Sequence, residues 1–220
     1  MTASLQPDGI ARSFLNVLPN EVLGDVTARS VIINVEAGRF LYDPELAVLD
    51  RGLLRGFVAD STGRQLTVSY LGAASAVGLT HLMGRSFPAA FQAVRDSRLL
   101  QLDREQVTEL GERYPLLGWS ATREVTRRLD DVLAEATRVA FGSMRKRLAF
   151  HLLALTAADQ DGGPGRPVRQ ADLALAVGSV REVIGRTVSQ LRDAGMVSTG
   201  AAGVMIVDRA GLRRISDDHR

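Results

Sequence analysis

Four side chains near the C-terminal end have the types and spacing for recognition chemistry. Arg181, Glu182, Arg186 and Gln190 lie within Gly178–Gly195, GSVREVIGRTVSQLRDAG. A guanidinium can donate two parallel bonds to guanine O6 and N7, and a carboxylate can accept from cytosine N4. Glu182, Arg186 and Gln190 follow one another at i, i+4 spacing, with Arg181 beside them, so one helix would present all four together. Val180, Ile184, Val188 and Leu191 recur at four, four and three, which predicts an apolar stripe on the opposite side. The plainer alternative is a solvated face laced by Glu–Arg pairs. A carboxylate on a surface facing phosphates is costly unless it reads a base.

The neighbouring residues are those needed to position such a helix. Gln170–Gly178 reads as a short helix ending at a glycine, which can take positive φ at no steric cost. Ala174 is small where two helices would cross. Beyond the second helix, Gly195–Thr199 and Val204–Val207 predict two short strands around the Gly200–Gly203 turn. Helix, glycine turn, helix and hairpin together form a winged helix-turn-helix pattern.

On these residues the run from Arg169 to Val207 resembles the winged helix-turn-helix of the CRP/FNR family of bacterial regulators. Arg181-Glu182-Val-Ile-Gly185-Arg186 matches the R-E-x-x-G-R form of its recognition motif. The resemblance implies that Arg181, Glu182 and Arg186 read bases in a TGTGA-like half-site. It also implies double-stranded DNA, a second copy of the chain and RNA polymerase as partners. Val180 stands where many relatives carry a phosphate-binding serine. Arg169 and Gln170, opening the preceding helix, are the candidate phosphate contacts.

The elements upstream fit the same plan. Ile10–Val17 and Pro19–Thr27 read as short helices. From Ser30 to Asp103 the chain becomes short β-rich runs punctuated by glycine, Asp-Pro and Ser-Thr-Gly, which suggests a sandwich or barrel. By resemblance this is an antiparallel β-roll of the cyclic-nucleotide-binding, jelly-roll type. Tyr114-Pro115 separates a helix at Arg104–Arg113 from a longer one. In the longer helix Val125, Leu129, Val132, Ala136 and Val139 form a heptad seam, flanked by the charged residues Arg123, Glu124, Arg127, Arg128, Asp130, Asp131 and Glu135. A homodimer along it would hold two recognition helices about 34 Å apart, one turn of duplex. The expected class is therefore α+β: a β-roll sensor domain over 1–112, a dimerisation helix over 113–140 and a winged helix-turn-helix domain over 141–220. A hinge is expected near Ala140–Gly142.

The sensor loop departs from the family. Relatives that bind cyclic AMP hold its phosphate between a Gly-Glu and an Arg-Ser pair. Here Gly78 is kept, but Leu79 replaces the glutamate. Phe87-Pro88 falls where Arg-Ser should be, with Arg85-Ser86 two positions earlier. A lost charge-assisted partner costs roughly 1.5–3 kcal/mol, so cyclic AMP is expected to bind weakly or not at all. The possible pocket residues are Gly78, Leu79, Arg85 and Ser86. Two alternatives stay open: a ligand-independent DNA binder of the same family, and a haem-based gas sensor through His81.

Composition excludes other classes. The 220 residues contain no cysteine, so disulfides and thiolate-held metals are ruled out. Three scattered histidines predict no metal cluster; His151 and His219 show no evident partner in the sequence. A metal-dependent barrel enzyme needs a His/Glu cluster that His81 alone cannot supply, so no enzyme activity is expected. Neither a signal peptide nor a membrane span is evident, and a cytoplasmic location is the default. The net charge of +2 is divided unevenly: residues 138–220 hold thirteen Arg and Lys against eight Asp and Glu, whereas residues 1–137 hold fourteen against seventeen. A basic C-terminal part suits phosphate attraction.

Overall fold

The computed structural model describes residues 8–84, 90–156 and 166–217. Two compact units emerge. The first comprises Met1–Val58 and Val68–Val132; the second comprises Ala59–Thr67 and Leu133–Arg220.

The first unit opens with α1 (Asp8–Arg12), a 3-10 turn (Phe14–Val17) and α2 (Asn20–Arg29). The single helix expected over Ile10–Val17 is broken at Ser13, whose hydroxyl accepts from the Leu15 amide and starts a new turn. Eight strands follow: β1 Val31–Val35, β2 Phe40–Tyr42, β3 Ala47–Arg51, β4 Leu54–Ala59, β5 Gln65–Leu71, β6 Ala76–Val77, β7 Ala90–Ala93 and β8 Ser97–Gln101. They form two antiparallel sheets, ordered β1-β8-β3-β6 and β2-β7-β4-β5.

Strand alternation explains how the core divides. On β3, Ala47 and Leu49 join Leu54, Leu71, Phe91 and Leu99 between the sheets. Leu46 and Val48 face the other way, onto Ile10, Phe14, Leu15 and Val26 of the N-terminal helices. Side chains of period two are thus buried on both faces, which is why β3 reads as a nearly continuous apolar run.

Next come α3 (Arg104–Arg113), capped by the Asp103 carboxylate, and α4 (Pro115–Phe141). Only part of α4 is covered: Leu117 and Ser120 are buried, while Leu116, Trp119, Val125, Leu129 and Leu133 are exposed. Of the expected seam, Val125, Leu129 and Ala136 are exposed and Val132 and Val139 half-buried. The seam is therefore only partly covered within the chain. Among the described residues no helix is long and apolar enough to cross a membrane.

The second unit continues with α5 (Met144–Leu155), α6 (Gln170–Val177), α7 (Arg181–Asp193), the hairpin β9 (Val197–Gly200) and β10 (Gly203–Ile206), and α8 (Arg209–Asp217). Between α4 and α5 the chain turns at Gly142, where a β-carbon would stand 2.5 Å from the Arg138 carbonyl oxygen. The expected hinge here is braced. Arg138 donates from Nε to Glu135 Oε2 at 2.9 Å and lies 3.5 Å above the Phe150 ring of α5. His151 is fully buried, with Nε2 3.3 Å from Glu135 Oε1. His151 thus has a partner after all, and Glu135, which the heptad places on a solvated flank of the seam, is itself buried.

Candidate nucleic-acid interface

The hydrophobic centre of the second unit sets the geometry of α7. Leu148 and Leu152 from α5, Leu173 and Val177 from α6, Ile184, Val188 and Leu191 from α7, and Val204 and Leu212 are all buried, and α7 packs on α5, α6 and β9. The α6–α7 turn depends on Gly178, at φ +67°. The Ser179 amide returns to the Ala174 carbonyl at 3.0 Å, closing the helix end. A β-carbon at Gly178 would sit 2.8 Å from the Gln65 carbonyl oxygen. Beside it, Thr67 Oγ1 donates to the Ala176 carbonyl at 2.7 Å. Two constraints, torsion and space, therefore select glycine here.

One expectation about α7 needs correction. Val180 is not part of the buried stripe; it is 60% exposed. It occupies the N-cap, whose extended backbone (φ −84°, ψ 153°) turns it off the helical face. Thr187 completes the buried face instead, its hydroxyl donating to the Val183 carbonyl at 2.9 Å.

The opposite face carries Arg181, Glu182, Arg186 and Gln190, all exposed or half-buried at most. Among the described residues Glu182 forms an ion pair with neither arginine, so the Glu–Arg lacing of a plain solvated face is absent. Arg169 is the exposed N-cap of α6, and exposed Gln170 opens that helix. Gln170 Oε1 lies 3.7 Å from where a Gly185 β-carbon would stand, which brings the start of α6 beside the centre of the α7 face. The wing is anchored by the Val168–Val204 bridge. Gly203, at φ +133°, passes so close to the Val168 carbonyl that a side chain there would clash.

Residues 146–215 match the Crp-like helix-turn-helix domain. The chain is 30% identical to the cyclic AMP receptor protein of Thermus thermophilus, over 78% of this chain and 79% of that one. The chain belongs to the CRP/FNR family. It is also 26% identical to the transcriptional regulator SdrP of the same species, over 76% of this chain and 81% of the relative. The crystal structure of a CRP/FNR transcriptional regulator from Eubacterium rectale shares the fold, with a TM-score of 0.76 at 20% identity over 92% of this chain and 97% of that one. Another, from Thermus thermophilus, gives 0.71 at 22% identity over 86% and 100%. The protein is accordingly a CRP/FNR-type transcription regulator whose C-terminal unit carries the DNA-binding helix-turn-helix; its relatives are regulators, not enzymes.

The sensor end of this CRP/FNR chain has its own geometry. Gly78 takes φ +70°, and a β-carbon there would meet the Glu45 backbone at 2.7 Å. Backbone packing alone thus accounts for this glycine. Leu79 opens a 3-10 helix, Leu79–Met83, and is buried among the N-terminal helices. Arg85 and Ser86, like Phe87-Pro88, lie outside the described residues, as does His219. His81 Nε2 lies 2.9 Å from Asp43 Oδ1. A cavity of about 230 Å³ opens here, lined by Gly78, Leu79, His81, Phe91, Leu129 and Arg128 among others. The sequence marks Arg128 only as a charged flank of the seam. Nothing in its local sequence separates it from Arg127, whose side chain is 59% exposed against 22% for Arg128.

Proposed function

We propose that the protein acts in the cytoplasm as a homodimer on a TGTGA-like palindrome, with the two α7 helices in successive major grooves. Arg181 and Arg186 read guanine edges, Glu182 reads cytosine, and Arg169 and Gln170 hold phosphates beside them. RNA polymerase is the further partner of the bound complex. The observation that carries this reading is the α7 face: three ionised side chains reaching solvent, unpaired with one another and held rigidly by a buried stripe beneath. In the first unit the cyclic-nucleotide pocket is degenerate, because a buried leucine replaces the carboxylate a ribose hydroxyl requires. Cyclic AMP therefore binds weakly or not at all, and no haem is assigned, His81 being the one histidine before residue 151.

The test measures fluorescence anisotropy of a labelled TGTGA palindrome and a scrambled duplex, each with and without cyclic AMP. A preference for the palindrome that does not change with the nucleotide is expected. Equal affinity for both duplexes would overturn the DNA reading; a preference that appears only with cyclic AMP would overturn the pocket reading.

A further inference from the structure

The cavity of the first unit is walled mainly by hydrocarbon: Val68, Leu79, Phe91, Val125, Leu129 and Val132. Such a wall suits a nucleotide poorly, because phosphate and ribose need several charge-assisted partners when desolvated. Its size is at the small end for ligand sites. One strong cation, Arg128, stands in this wall. Its Nη2 donates to Glu124 Oε1 at 2.9 Å and to the Ala76 carbonyl oxygen. Glu124 is shared, its other oxygen taking Arg127 at 2.7 Å. The Arg128 Nε is buried without a hydrogen-bond partner among the described residues. Burial pulls the guanidinium pKa below its ordinary value, outweighing the attraction of Glu124. His81 and Asp43, on the same wall, already engage each other. With 22% of its side chain exposed, a guanidinium standing in the wall of an apolar cavity is matched by an acceptor that brings its own negative charge.

We propose that this cavity takes a small organic acid: one carboxylate on Arg128, with an aliphatic or aromatic body against Phe91, Val125 and Leu129. The proposal rests on the reading of the first unit as the sensor of a DNA-binding regulator. Every polar demand of such a ligand is concentrated at one end. That matches a wall with one cation and otherwise mostly carbon.

The test is calorimetric titration of the full chain with octanoate and 3-phenylpropanoate, each against its neutral alcohol, 1-octanol and 3-phenylpropan-1-ol. Saturable binding of at least one acid is expected, with its alcohol weaker by on the order of tenfold or more. Arg128→Gln should bind acid and alcohol alike, while Arg127→Gln keeps the preference. The acid–alcohol comparison on the unaltered protein stands even if Arg128→Gln fails to fold. Equal binding of acid and alcohol, an unchanged preference in Arg128→Gln, no acid binding at millimolar concentration, or tighter binding of cyclic AMP than of either acid would each overturn the proposal. Anisotropy on the palindrome keeps the two readings apart. A chain that binds acid but not the palindrome retires the operator reading alone; one that binds the palindrome but no acid retires the cavity assignment alone.

Discussion

The proposed recognition code gives individual side chains different jobs. Arg186 and Arg181 project from a helix whose opposite face is anchored by Ile184, Val188 and Leu191. Arg186→Ala and Arg181→Ala should each cost about 1–3 kcal/mol of binding to the preferred palindrome and relax selectivity at one base pair. Competition between single-base operator variants would measure this. Arg169, at the mouth of α6, should behave differently. Arg169→Ala should weaken all duplexes alike and flatten the dependence of affinity on salt by about one ion per site, as read by anisotropy from low to high salt. That Arg181, Glu182 and Arg186 share one exposed helix face is legible in the sequence, because the motif R-E-x-x-G-R sets them at helical spacing. Val180 is misplaced by periodicity, which cannot tell a last extended residue from a first helical one. Thr187 escapes it because a hydroxyl returned to its own helix buries like a methyl group, and composition does not show that.

At the scale of elements, α4 and its junction with α5 carry two expectations. The uncovered seam and the exposed Leu133 leave an apolar strip on a charged helix, the pattern a two-fold partner would cover. Leu133→Glu combined with Ala136→Glu, both clear of the cavity wall, should shift the chain to monomer in sedimentation experiments and weaken palindrome binding. The second expectation concerns acid. Burial holds the His151 imidazole below its ordinary value of 6.5. Glu135 is held below 4.5: burial raises it, and His151 and Arg138 together outweigh that. Both groups are depressed on folding, so their stabilisation is complete above the unfolded values and fades as pH falls. The histidine acts first. Thermal midpoints should decline as pH drops below about 6.5, and His151→Gln should flatten that slope between neutrality and pH of about 5. An unaltered slope in the variant would exclude this histidine as the cause. None of this is evident in the sequence. Glu135 and His151 lie on different helices, and only the turn at Gly142 brings them together. Strands β6 and β7 escape notice for a related reason: they are two and four residues long, too short to show alternation, and are defined by their pairing partners. The longer runs, β3 to β5 and β8, are readable from β-branched and aliphatic residues bounded by turn residues.

For the whole molecule, the sequence divides its charge in the sense that DNA binding requires. The basic excess lies in residues 138–220 and the acidic excess in residues 1–137. Attraction to phosphates is then concentrated where the reading helix is, while the acidic remainder discourages indiscriminate adsorption. If two chains act together, half-site spacing is fixed by their symmetry. Inserting about five base pairs, half a helical turn, between half-sites should abolish tight binding, and about ten should restore part of it. A footprinting series across such insertions would show the alternation, and a monotonic response would contradict a rigid two-fold reader. The family resemblance makes the order of antiparallel sheets, long helix and helix-turn-helix legible early, because glycine turns and helical periods are local signals. The proposed acid preference of the cavity is not, since it depends on which of two adjacent arginines, Arg127 or Arg128, is turned inward.

The bend at Gly142 has a practical consequence. With the Gly142 amide bonded to the Arg138 carbonyl at 2.8 Å, no space there for a β-carbon, and the Arg138 guanidinium over the Phe150 ring, the elbow has little room to swing. A chain free of native thiols accepts paired spin labels cleanly. Labels on the outer flanks of α4 and α5 should report a single narrow separation that operator DNA leaves unchanged. Whatever motion switches this regulator would then have to be sought elsewhere along the backbone.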